Sequence, residues 1–102
     1  MGYALHPEVY GDLEEIHYQI DRFSPNAADQ VLDEFLDSFN LLQQFPAAGY
    51  PRTDLTSLPI RFMVVRMYLI AYWPNREPLW IVTVVDGRRN PRMIAGLLRG
   101  RE

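Results

Sequence analysis

The residues best equipped for chemistry fall in the second half of the chain, where Arg61, Arg66, Tyr68, Tyr72, Trp73, Trp80, Arg88, Arg89 and Arg92 interleave cations with aromatic rings. Arginine presents a planar fork of donors that matches carboxylates and phosphates, and aromatic faces stack on bases. The set therefore suits recognition of an acidic protein segment or of a nucleic-acid backbone. Along an uninterrupted strand Arg66, Tyr68, Ile70 and Tyr72 share one face, and Leu69, Ala71 and Trp73 the other. The plainer alternative is structural: the arginines neutralise carboxylates elsewhere, Tyr68 and Tyr72 pack under helices, and Trp73 and Trp80 cover the opposite side.

Other chemistries lack their residues. The chain has no cysteine, which removes disulfides, thiolate metal sites and cysteine nucleophiles. His6 and His17 stand in no metal-ligand spacing, so neither a metal nor a cofactor is expected. His17 fits an exposed helix flank and His6 the connection ahead of the first helix. Ser24, Ser38 and Ser57 lie in no nucleophile elbow, and no glycine-rich loop is present to hold phosphates. Asp12 with Glu15, and Asp33 with Asp37, are helical neighbours expected on solvated faces.

These residues need a scaffold, and the apolar spacing supplies one. Leu13, Ile16, Ile20 and Phe23 recur every three or four residues, which predicts a helix between Pro7 and Phe23, with Gly11 favouring a start near Asp12. Ser24-Pro25 opens a second helix over 25–45, with Ala28, Val31, Leu32, Phe35, Phe39, Leu42 and Phe45 on one face and Asp29, Asp33, Glu34 and Asp37 toward water. So short a connection makes the pair an antiparallel hairpin. Residues 46–59 form a connecting loop punctuated by Pro46, Gly49, Pro51 and Pro59. Branched and aromatic runs then predict strands near 60–66, 67–73 and 79–86. Tyr3-Ala4-Leu5 offers an edge strand. Met93, Ile94, Leu97 and Leu98 mark the inward face of a short terminal helix that Gly96 and Gly100 weaken. The fold class is α+β: a helical hairpin on a three- to four-stranded, mainly antiparallel sheet, in a single domain over 1–102.

Composition agrees with that class. The chain has 102 residues, 48% hydrophobic and 23% charged. No apolar run approaches the ~18 residues of a membrane span. The N-terminus lacks the basic start and apolar core of a signal peptide, so a cytoplasmic location is expected. Charge is divided unevenly. Residues 1–50 hold nine carboxylates against Arg22 alone, a net −8, while residues 51–102 hold nine arginines against four carboxylates, a net +5.

Several segments taken together resemble the RelE/ParE superfamily of type II toxin–antitoxin toxins, closest to its ParE or plasmid-stabilisation branch. They are Leu13-Glu14-Glu15-Ile16, Ser24-Pro25-x-Ala27-Ala28-Asp29, Leu41-Leu42-x-x-Phe45-Pro46-x-x-Gly49-x-Pro51-Arg52, Tyr68-Leu69-Ile70-x-Tyr72, Ile81-Val82-x-Val84 and Gly87-Arg88-Arg89. The resemblance implies a bacterial growth inhibitor held in check by a cognate antitoxin in a hetero-oligomer. ParE-like members poison DNA gyrase, whereas RelE-like members cleave messenger RNA on the ribosome.

Departures from the nuclease pattern weigh between those activities. Leu69 stands where RelE-like nucleases carry a basic residue, no tyrosine follows Tyr72, and Asp86 and Asn90 replace the usual histidine and acid around the Gly-x-Arg turn. A gyrase poison acting by binding is therefore expected, with Arg61, Arg66, Arg88, Arg89, Arg92 and Arg99 contacting target or antitoxin. The alternatives are a ribosome-dependent endoribonuclease using Arg66, Tyr68, Tyr72, Arg88 and Arg89, or a degenerate member that only binds antitoxin.

Overall fold

A computed structural model describes residues 2–101. A short strand β1 (Tyr3–Leu5) leads into helix α1 (Val9–Asp21) and helix α2 (Pro25–Gln44). A 3-10 turn (Pro46–Ala48) comes next, then strands β2 (Tyr50–Pro51), β3 (Arg61–Val65), β4 (Tyr68–Trp73) and β5 (Leu79–Asp86), and helix α3 (Pro91–Gly100). The α+β class, the helical hairpin and the terminal helix agree with the sequence reading. The sheet differs in two respects. It has five strands rather than three or four, in the order β1-β5-β4-β3-β2, and it is mixed because β1 runs parallel to β5. β2 spans two residues inside the expected connecting loop, pairing Tyr50 with Phe62 and Pro51 with Arg61. Two residues, one of them proline, carry no periodicity for a sequence reading to detect.

Local chemistry fixes the helices. Ser24 Oγ accepts the Ala27 N–H at 3.2 Å, and Pro25 supplies a preset first turn. Ala28, Val31, Phe35, Phe39 and Leu42 of α2 are buried, as their spacing requires. Helix α1 begins before Gly11 and runs through it, and a side chain at Gly11 would meet nothing within 4 Å. The glycine there costs only conformational freedom, about 1 kcal/mol, which packing of the helix outweighs. Two expected core positions fall outside their helices and face solvent. Phe23 lies past the end of α1 and is 84% exposed, and Phe45 is the C-cap of α2 and also exposed. Once the helical period stops, it no longer dictates their direction.

The strand expected to carry Arg66 in line with Tyr68 is interrupted. Val65 pairs with Tyr68, so Arg66 and Met67 form a two-residue turn. Arg66 adopts φ 56°, a left-handed conformation that costs a side-chain-bearing residue roughly 1–2 kcal/mol. Its guanidinium donates twice to the Glu34 carboxylate on α2, at 2.9 and 2.7 Å, and so offsets part of that strain.

The sheet has a core on each face. Phe35, Phe39 and Leu42 of α2 and Val9 and Leu13 of α1 pack against Val65, Tyr68, Ile70, Tyr72, Ile81 and Val84. On the other face Ile94 and Leu98 of α3, with Leu55 and Ile60 from the loop, cover Phe62, Leu69, Ala71, Val82 and Val85. Trp73 and Trp80 join this second cluster, as the plainer alternative required. Met93, expected inward on α3, is exposed, and Ile94 and Leu98 carry the burial. Strand β5 contains one irregularity. Tyr72 opposes Ile81 and Ala71 opposes Thr83, which leaves Val82 as an extra residue, a bulge in β5.

Phe35 is 1% exposed at the centre of the larger core. Phe35→Ala is expected to lower unfolding free energy by ~3–5 kcal/mol, measured by chemical denaturation, with the whole transition lost if native stability is at the low end of the usual range.

Candidate functional site

The bulge lies where β5 loses its outer neighbour. β1 pairs with Leu79, Trp80 and Ile81 and then gives way to the turn into α1. Beyond Ile81 the edge of β5 is flanked by α1 on one face of the sheet and α3 on the other, and a groove of about 400 Å³ opens there. Gly11, Asp12, Glu15 and Gln19 of α1, Val84 and Asp86 of β5, and Leu97 of α3 line it. Tyr68, Arg88 and Arg89 also line it.

One ion pair closes the near end of this groove. Arg101, 9% exposed, donates through one terminal nitrogen to Asp12 Oδ2, to the Thr83 hydroxyl at 3.0 Å and to the Val82 carbonyl at 3.2 Å. Its other terminal nitrogen donates to Asp12 Oδ1 at 2.8 Å. Asp12 also accepts from the Thr83 hydroxyl and from the Val84 N–H, both at 3.1 Å. The bonded Asp12 carboxylate raises the Arg101 guanidinium above its ordinary value. Asp12 is thus no solvated surface acid, contrary to the helical-face expectation. Asp12, Thr83 and Arg101 together were missed by sequence reasoning. They stand 71 and 18 residues apart in sequence, and no local spacing links them.

The six arginines expected at a binding surface divide into two groups. Arg61 donates to the Gly49 carbonyl at 2.9 Å through Nε and is a brace for the turn after α2. Arg66 is held by Glu34, and Arg88 is held by Asp86 through two side-chain bonds at 3.0 and 2.7 Å. Arg89, Arg92 and Arg99 are exposed and have no carboxylate partner among the described residues. Arg92 and Arg99 lie seven positions apart on α3 and therefore share one side of that helix. The charge division of the sequence is consequently consumed only in part: Arg66 and Arg101 answer acids of the first half, and Arg89, Arg92 and Arg99 stay exposed.

Tyr68 and Tyr72 also part company. Tyr72 is fully buried, donates its hydroxyl proton to the Pro46 carbonyl at 2.7 Å and accepts the Gly49 N–H at 2.8 Å. A Cβ at position 49 would come within 2.5 Å of the Tyr72 oxygen and 2.6 Å of the Phe62 carbonyl, so only glycine fits there. Tyr72 is a structural strut, and the geometry does not bring it into the groove with Arg88 and Arg89. Tyr68 does line that groove. Burial lifts its phenol above the ordinary value, the Asp86 charge adds to this, and Arg88 and Arg66 oppose it. Arg88 in turn holds the Asp86 carboxyl below the usual carboxylate range. Among the described residues no group of three or more histidine, aspartate or glutamate side chains is placed to hold a metal. None of the described helices is long and apolar enough to cross a membrane.

Fold and groove together define a small α+β protein with a groove along a sheet edge and exposed arginines on α3 and on the turn before it. The family described as ParE toxin of type II toxin–antitoxin system, parDE, matches residues 3–91, and the chain belongs to it. It is a toxin of a type II toxin–antitoxin system, with a cognate antitoxin as its partner. The match ends at the first residue of α3, so Arg92, Arg99 and Arg101 lie beyond the matched segment. No curated protein matches the chain.

Asp12→Ala leaves a buried guanidinium with Glu8, 3.6 Å away, as its remaining carboxylate and is expected to cost ~3 kcal/mol, while Asp12→Leu combined with Arg101→Leu costs less, both measured by denaturant unfolding. Glu34, Asp54 and Asp86 are each held below the usual carboxylate range, first of all by a bonded arginine. Such groups stabilise the fold above their unfolded values of about 4, and that contribution is lost as pH falls through the lower native values. Stability measured against pH is therefore expected to decline from about pH 4 downward, and less steeply in Asp86→Asn.

Proposed function

We propose that this toxin acts by binding DNA gyrase rather than by cleaving RNA, and that its antitoxin neutralises it by covering the groove and the exposed arginines Arg89, Arg92 and Arg99. The observation that carries the reading is that Arg89, Arg92 and Arg99 are exposed with no carboxylate partner among the described residues, while the carboxylates lining the groove are engaged, Asp12 by Arg101, Asp86 by Arg88 and Glu15 by Gln19. RNA cleavage requires a base to take the 2′-hydroxyl proton and an acid to protonate the leaving oxygen. Arginine stays protonated at neutral pH, and a phenol lifted above its ordinary value is a donor and not an acceptor. The groove contains no histidine. A binding poison has no such requirement, since persistent charged contacts suffice.

The ribosome-dependent endoribonuclease remains the second reading, because Tyr68, Arg88 and Arg89 line one groove. In that reading Tyr68 is the proton donor and the arginines stabilise the phosphorane charge.

Expression without antitoxin separates the two. The expected outcome is growth arrest with gyrase-dependent DNA breaks, weakened at least tenfold by Arg89→Glu with Arg92→Glu and unchanged by Tyr68→Phe. Ribosome-dependent cuts mapped by primer extension and abolished by Tyr68→Phe would establish the nuclease instead. A folded, antitoxin-binding protein silent in both assays would be the degenerate member. For the antitoxin, association is expected to slow with ionic strength, and Arg89→Glu to slow it more than Arg88→Glu, whose guanidinium is already bonded to Asp86.

A further inference from the structure

The fold turns the charge division of the sequence into a division between the two faces of the sheet. The helical hairpin, residues 9–44, carries eight carboxylates against Arg22 and packs on one face. Residues 87–101 carry five arginines and no carboxylate, and their helix α3 packs on the other. On α3 the exposed Arg92 and Arg99 share the side opposite the buried Ile94 and Leu98. Gly96 stands between them on that side. Outside the helix backbone, a Cβ at position 96 would meet only the Arg99 guanidinium, at 3.6 Å. An alanine would fit and would suit the helix better, so the glycine serves no contact within the fold and leaves the middle of this side as bare backbone.

Beside Arg99 a cleft of about 360 Å³ lies between α3 and the loop before β3, lined by Thr53, Thr56 and Ser57 among others. The Thr56 hydroxyl accepts the Leu58 N–H at 3.1 Å and keeps its proton to donate. Asp54, the carboxylate in the lining, is bonded twice to Arg52, at 2.8 and 2.7 Å. Unpaired guanidinium groups, hydroxyls and approachable backbone are the groups that hold phosphate oxygens. A protein interface instead depletes charge at its centre and places apolar anchors there, whereas the centre here is Gly96 and the exposed Met93 stands at the flank. Arg92 and Arg99 are roughly 10 Å apart along the helix, which matches about three phosphate steps of ~3.4 Å on one strand of a duplex. We infer that this side of α3 grips the phosphate backbone of duplex DNA. Arg92 and Arg99 each meet one phosphate, and the Thr53, Thr56 and Ser57 hydroxyls bond the one at Arg99. The acidic hairpin, on the far face of the sheet, is turned away from the duplex. The choice of DNA as occupant rests on the gyrase reading, because gyrase acts on duplex DNA.

Affinity of the full chain for a linear DNA duplex, measured across salt concentrations from low ionic strength, tests this. Two phosphate contacts predict a slope of log affinity against log salt of about −1.8, and Arg92→Gln and Arg99→Gln are each expected to remove about 0.9 of it. Arg22→Gln, an equal loss of charge on the hairpin, should leave the slope as it is. Gly96→Glu places a carboxylate four residues from Arg92 and three from Arg99, so it should raise the melting temperature while abolishing DNA binding, a combination that loss of structure cannot produce. Gyrase carrying the same duplex is expected to bind the toxin at least tenfold more tightly than gyrase without DNA. A slope unmoved by Arg92→Gln and Arg99→Gln, or polyglutamate bound as well as the duplex, overturns the inference. Tighter binding to single-stranded messenger RNA than to the duplex overturns the choice of nucleic acid. Gyrase affinity that gains nothing from DNA overturns the inference and leaves the gyrase reading intact. No gyrase binding at all, with the slopes as expected, overturns the gyrase reading and supports the DNA-binding side of α3.

Discussion

The Asp12–Arg101 ion pair is the interaction on which the arrangement of layers depends. Asp12 belongs to α1 on one face of the sheet, Arg101 caps α3 on the other, and the pair meets around the edge of β5 at the bulge. Removing two charges from water costs several kcal/mol per ion unless further hydrogen bonds satisfy them. Here they do: the carboxylate accepts from Arg101, Thr83 and the Val84 N–H, and the guanidinium also reaches the Val82 carbonyl. Two backbone groups that would otherwise be orphaned on a half-covered strand thus serve as ligands of the ion pair. The parallel strand β1 can stop after three residues because side chains continue its hydrogen bonding.

Around that clamp the arginines take three kinds of work. Arg61 with Tyr72 and Gly49 fixes the turn after α2, where a buried hydroxyl bonds both the Pro46 carbonyl and the Gly49 N–H. Arg66 ties a strained hairpin turn to α2 through Glu34. Arg89, Arg92 and Arg99 do neither and have no carboxylate partner among the described residues. Arginine suits all three uses because its fork satisfies two acceptors at once and keeps its charge when buried. A chain whose bonded and exposed cations are the same residue type cannot be parsed by composition, only by which guanidinium is already occupied.

The groove shows how a fold shared by different toxins can serve different chemistry. Its floor is a sheet edge and its lining mixes Arg88 and Arg89 with Asp12, Glu15 and Asp86, features that suit recognition of a polar partner without specifying one. What separates binding from catalysis is the proton inventory, and here the groove brings Tyr68 and Glu15 beside the arginines, with Asp12 and Asp86 already bonded to Arg101 and Arg88. Leu69, noted in the sequence as a departure from the nuclease pattern, is buried in the opposite core and contributes nothing to the groove.

The sequence by itself determined the helices, the three principal strands and the family. Each of these rests on local physics: the spacing of Val31, Phe35, Phe39 and Leu42, the Ser24-Pro25 start, and the branched runs after Pro59. The ordered short motifs from Leu13 to Arg89 carried the family through the same local signals. Tertiary structure decided which residues are free to act. Tyr72 was equally plausible in a core or a site until Pro46 and Gly49 closed on its hydroxyl. Arg61, Arg66 and Arg88 became occupied through contacts that depend on chain folding or on a turn. The mixed sheet and the Asp12–Thr83–Arg101 network could not be read at all, because hydrogen bonds between residues 71 or 89 positions apart leave no period in a single sequence. Periodicity encodes which face a residue presents, whereas a binding site is the remainder left after every long-range partner has been assigned.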